Sequence, residues 1–109
     1  MGDEDPAEQF RTAIARLHEG RFFVFEYVAL TGLAAWWADT GHLDGAACVL
    51  GFLERHDPIG NQRVADLRRR AVELIDADPT VGLSRAEGGA MSADEIVDYC
   101  LDRLAARAR

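Results

Sequence analysis

Lysine is absent from this 109-residue chain: all twelve basic residues are arginine, against nineteen aspartates and glutamates, for a formal charge of −7. Binding phosphate needs clustered cations in a favourable field, so direct nucleic-acid binding and attachment to anionic membranes are not expected. Cysteine is scarce as well. Cys48 and Cys100 stand far apart and form no CxxC pair, which predicts two small buried residues in a reducing, cytoplasmic setting. The opening MGDEDPAEQ is acidic and polar, unlike a secretory leader. Long apolar runs are missing too. The nearest, Phe22 to Ala38, falls short of the ~20 residues that cross a bilayer, carries Glu26, and runs into Asp39 and Thr40. It predicts a buried central helix.

Chemistry-bearing motifs are also missing. There is no GxxxxGK[ST] loop, GxGxxG turn, GxSxG elbow or HExxH pair. These gaps predict a non-catalytic chain that needs no cofactor.

What remains is one domain's worth of helix signals. Asp5-Pro6 opens a helix over 5–19, whose Phe10, Ala13, Ile14 and Leu17 recur at helical spacing before Gly20. Helix two spans 21–39 and is apolar almost all round. FFVFEYV resembles a strand locally, but no turn signal appears until Thr40-Gly41, too far for one strand. Helix three spans 42–55, with Leu43, Ala46, Ala47, Leu50 and Leu53 on one face and Cys48, Val49 and Phe52 off it. Helix four, 61–76, turns Val64, Leu67, Ala71 and Leu74 inward, and pairs Asp66 with Arg70 and Arg69 with Glu73. Asp78-Pro79 opens a short fifth helix, 79–87, kept short by Gly82 and Gly88-Gly89. Ser92-x-x-Glu95 boxes the start of the last, 92–107. Short loops predict antiparallel hairpins.

Residues 27–60 resemble a tetratricopeptide repeat. Leu30, Leu33, Trp37, Gly41, Leu43, Ala46, Leu50 and Pro58 fall where that 34-residue pattern places its large, aromatic, turn, small and terminal residues. Ala34 and Leu53 depart from it, which puts the superhelical geometry in doubt. The resemblance implies an all-α, right-handed tetratricopeptide-like array of about five to six helices. A longer stretch, ALTGLAAWWADTGHLDGAACVLGFLERH followed by GGAMSADEIVDYCLDRL, is similar to the C-terminal helical segment of bacterial LuxR-type and cyclase-linked signal-transduction ATPases. That likeness implies a part in transcription regulation or signal transduction. The phosphate loop and the DNA-reading helix-turn-helix of that family are missing here, so neither activity follows.

Two sets of residues are candidates for function. Trp36, Cys48, Val49 and Phe52 present apolar surface that the predicted hairpin does not use, so they are the expected interface for self-association or for docking on a parent regulator. Phe23, Tyr27, Trp36 and Trp37 form an alternative aromatic pocket for a small-molecule effector. His42, Asp44, His56 and Asp57 would hold a metal only if both ends of helix three met, and they are roughly 20 Å apart, so no metal site is expected. Arg68, Arg69 and Arg70 fan out at about 100° each and make no phosphate patch. Asp3, Glu4 and Asp5 are read as solvated charge.

Overall fold

The computed structural model describes residues 5–107; Asp3 and Glu4 lie outside them. Six α-helices fill that span: α1 Pro6–Glu19, α2 Phe23–Asp39, α3 Leu43–His56, α4 Ala65–Asp76, α5 Gly82–Gly89 and α6 Ala93–Arg107. Single 3-10 turns, Gln62–Val64 and Pro79–Val81, lead into α4 and α5. No strand occurs among the described residues, so the FFVFEYV stretch is helical from Phe23 onward.

Local chemistry sets these boundaries. The Asp5 carboxylate accepts the Ala7 N–H at 3.0 Å, and Pro6 follows at a position where its missing donor costs nothing. Asn61 and Asp78 cap the Arg63 and Thr80 N–H groups in the same way. Ser92 and Glu95 close the expected box: the Ser92 N–H donates to Glu95 Oε1 at 2.9 Å, and the Glu95 N–H donates to Ser92 Oγ at 3.1 Å.

Two helices end with the same hydrogen-bond pattern. After α2, the His42 N–H donates to the Trp37 carbonyl and the Gly41 N–H to that of Ala38, with Gly41 left-handed at φ 86. After α1, the Phe22 N–H donates to Leu17 and the Arg21 N–H to His18. Here the left-handed residue is Arg21, at φ 60, while Gly20 stays right-handed at φ −81. A Cβ at Gly20 would lie 2.5 Å from the exposed Phe22 ring, so a side chain there would push that ring aside.

The core is organised round α3, which packs on α2, α4, α5 and α6. Every residue from Gly45 to Leu53 is buried. This corrects the sequence reading of Cys48, Val49 and Phe52 as spare surface. Cys48 is covered by α5, which lies against α3 almost backbone to backbone, and Phe52 packs on Tyr27 and His56. A Cβ on Gly51 would sit 1.9 Å from the Arg85 carbonyl oxygen, and one on Gly88 would sit 1.7 Å from that of Cys48. Gly88 therefore permits a close approach, and α5 runs on through Gly89. The Arg85 guanidinium fixes this short helix further, reaching Glu54 on α3 at 2.6 Å and Asp76 on α4 at 2.8 Å.

The other helices complete the enclosure. α1 packs on α2 and α6, burying Ala7 and Ile14. α4 buries Ala71 and Ile75, whereas Leu67, expected inward, is exposed. Its arginines also pair differently from expectation: Arg69 with Asp66, and Arg70 with Asp39 on α2, both at 2.8 Å. The second of these ties two helices together where an intrahelical pair was anticipated.

Candidate functional site

The corner between α1 and α2 carries the largest concentration of exposed apolar side chains. Phe22, Phe23, Val24 and Phe25 are 57%, 38%, 65% and 63% exposed. Phe22 caps α2 and Phe23, Val24 and Phe25 open its first turn, so the outer side of that turn is uncovered while Glu26 faces fully inward. The sequence predicted cover for an all-round apolar helix, and α2 is covered only from Glu26 onward. The Arg21 turn holds this ridge in place. A non-glycine residue in the left-handed region stores of order 1 kcal/mol, and such strain clusters at functional sites.

Directly behind the ridge lies a buried carboxyl group. Glu26 is fully buried, and its Oε1 is 2.6 Å from Nδ1 of His18. The other ring nitrogen of His18, Nε2, is 2.6 Å from Oδ1 of Asp94 in the first turn of α6. One imidazole thus joins α1 to both α2 and α6. Its ring also meets the edge of Phe23, with centroids 6.4 Å apart. Among the described residues, Glu26 Oε2 has no hydrogen-bond partner. Burial drives the Glu26 pKa upward, and the bond to His18 recovers only part of that shift. Burial alone would lower His18, but its bonds to Asp94 and Glu26 outweigh this and leave its pKa raised. A depression of about 500 Å³ opens beside the imidazole, lined by His18, Glu19, Arg21, Phe23, Ser92 and Asp94.

The residues expected to act elsewhere are placed as follows. Cys48, Val49 and Phe52 are at most 1% exposed and cannot present an interface without unfolding. Phe52 stacks on His56, centroids 4.3 Å apart, and meets the edge of Tyr27. Trp36 is half-buried and stacks on Phe10 at 5.6 Å. Trp37 is buried against Gly45, and its Nε1 has no hydrogen-bond partner. The aromatic quartet Phe23, Tyr27, Trp36 and Trp37 lines no common pocket. Phe23 borders the corner depression, and Trp37 borders a separate recess with His42, Gly45 and Arg103. Thirteen residues of helix, roughly 20 Å, separate Phe23 from Trp36.

The remaining chemistry is inert by placement. Burial pushes the Cys48 thiol up to about 11 and the Cys100 thiol higher still. Arg68 donates to the Asp57 carbonyl, Arg69 to Asp66 and Arg70 to Asp39, so the three arginines fan out. His56 Nε2 bonds the Met91 carbonyl, and among the described residues no three His, Cys, Asp or Glu side chains gather to hold a metal.

The corner is not legible from local pattern, because a histidine near a helix C-terminus, as His18 is, already has a favourable place beside the dipole. The missed signal was Glu26 itself: a lone carboxylate in an apolar helix needs a partner, and His18 is the cation nearest to it on α1. Compared with protein-family models, with curated proteins and with solved structures, the chain finds no match in any of the three.

Proposed function

We propose that this chain is a non-catalytic helical interaction module that docks another polypeptide on the Phe22–Phe25 ridge. The observation that carries the reading is a contiguous run of three phenylalanines and a valine held in solvent by a strained turn. Covering the exposed part of each phenyl, roughly 100 Å², contributes about 2.5 kcal/mol. Exposed apolar clusters of a few hundred Å² are often functional.

The occupant is an apolar segment rimmed by basic residues. The chain carries −7 overall, and Glu19 and Asp94 border the ridge beside the single Arg21. A second copy of this chain brings the same net charge, which disfavours it as the occupant. The reading keeps the tetratricopeptide-like hairpin as its scaffold. In support, Gly41 turns the chain between α2 and α3 in the left-handed form, and those two helices pack on each other. A role as the helical segment of a bacterial cytoplasmic regulator, of LuxR-type or cyclase-linked kind, fits such a module. The lack of catalysis is supported by the raised thiols and by an imidazole occupied at both nitrogens.

Fluorescence anisotropy with labelled peptides tests the reading. Peptides presenting phenylalanine and leucine among arginines saturate on the wild-type chain, those among glutamates do not, and Phe25→Asp removes the binding. Equal failure of both peptide sets overturns the assignment, as does micromolar self-association through the ridge in sedimentation.

A further inference from the structure

We propose that His18 is a proton-operated clasp that locks α6 to the α1–α2 corner below its midpoint and releases the Asp94 arm above it. The geometry points to this independently of what docks on the ridge. Two contacts of 2.6 Å, on opposite ring nitrogens, each need a bridging proton to be hydrogen bonds. The triad therefore holds two protons at its bridges. They sit either on an imidazolium between two carboxylates, or on a neutral ring facing one protonated carboxyl. Removing one proton leaves a ring-nitrogen lone pair against carboxylate oxygen, and that contact must open.

Burial decides which contact opens. The Glu26 side chain is 0% exposed and its other oxygen has no partner, so losing His18 would strand a buried carboxylate. The Asp94 side chain is 86% exposed and gains water as soon as it turns away. The remaining proton stays on Nδ1 toward Glu26, and Asp94 swings out. The groups facing the imidazole are Glu26 from α2 and Asp94 from α6, with Glu19 and Arg21 on the wall of the depression. Opening loosens the first turn of α6 beside Phe23, at the edge of the exposed ridge.

A ¹H–¹⁵N and imidazole Hε1 NMR titration of the whole chain reads this directly. His18 is expected to titrate above 6.5, with the amides of Ala93 to Ile96 shifting at the same midpoint. Asp94→Asn is expected to lower the midpoint by about half a pH unit, the scale of an exposed pair. It should also abolish the co-titration of the α6 amides. Glu26→Gln is expected to lower the midpoint by about 1 unit or more; should that variant fail to fold, the wild-type and Asp94→Asn titrations decide alone. A His18 midpoint at or below 6.5, or α6 amides that ignore it, overturns the clasp. Peptide binding to the ridge plays no part in this readout, so failure of the docking reading leaves the titration test intact.

Discussion

Two neighbouring glycines make a sharp test of how α5 is held. At Gly88 an added methyl would lie 1.7 Å from the Cys48 carbonyl oxygen, and at Gly89 its nearest neighbour would be 3.6 Å away. Gly82, at the start of the same helix, would meet nothing within 4 Å and has φ −58. The substitution is identical in each case, so differences report the environment. At Gly88 the atoms in the way are backbone, and no rotamer change relieves the clash. Overpacking costs about 1–3 kcal/mol when side chains can adjust, so Gly88→Ala should cost about 3 kcal/mol or more. That is a large share of the ~5–15 kcal/mol that holds a domain of this size. Gly82→Ala should stabilise by about 0.5–1 kcal/mol through reduced chain entropy, and Gly89→Ala should fall between the two. Urea unfolding followed by tryptophan fluorescence and far-ultraviolet circular dichroism reads all three. The melting temperature should drop by more than about 10 °C for Gly88→Ala. A Gly88→Ala variant as stable as Gly89→Ala would refute the backbone contact between α3 and α5.

Further outcomes follow from the same packing. Phe52→Asp should unfold the chain, since it places a charge in a site that is 0% exposed, whereas Val24→Asp should change stability by no more than about 0.5 kcal/mol. Arg21→Gly should stabilise by roughly 1 kcal/mol in chemical denaturation, because glycine takes φ 60 without the Cβ clash. Both His18 and Glu26 have raised pKa values, so the native chain binds more protons than the unfolded one. Stability should therefore fall as pH rises, first above Glu26's ordinary 4.5 and then above His18's ordinary 6.5. In melts between pH 5 and 8, His18→Gln should remove the upper part of that decline; an unchanged slope there refutes the linkage.

Much of the helical layout was legible because it is written locally. Asp5-Pro6, Asn61, Asp78-Pro79 and the Ser92–Glu95 box each mark a start by satisfying backbone N–H groups within three residues. The structure places helix or 3-10 turn within two residues of every expected start. Packing partners were less legible, because they depend on residues far apart in the chain. Gly51 and Gly88 gain meaning only when α5 meets α3, so Gly88-Gly89 read as a breaker, and Cys48, Val49 and Phe52 read as uncovered. The turn after α1 is subtler: glycine is the usual left-handed residue, yet the position falls one residue later than Gly20, on Arg21. The ridge was hidden by the same logic. An all-round apolar pattern says that a helix needs cover on several sides, and it cannot say that the first turn is left outside.

The docking claim is tested most directly by mapping a basic, phenylalanine-containing peptide onto the chain with ¹H–¹⁵N chemical-shift perturbation. Saturable shifts are expected to concentrate at Arg21 to Glu26 and at Asp94, with the amides of Cys48 to Phe52 unmoved. Shifts centred on Trp36 or on the α3 core, with the corner silent, would contradict it.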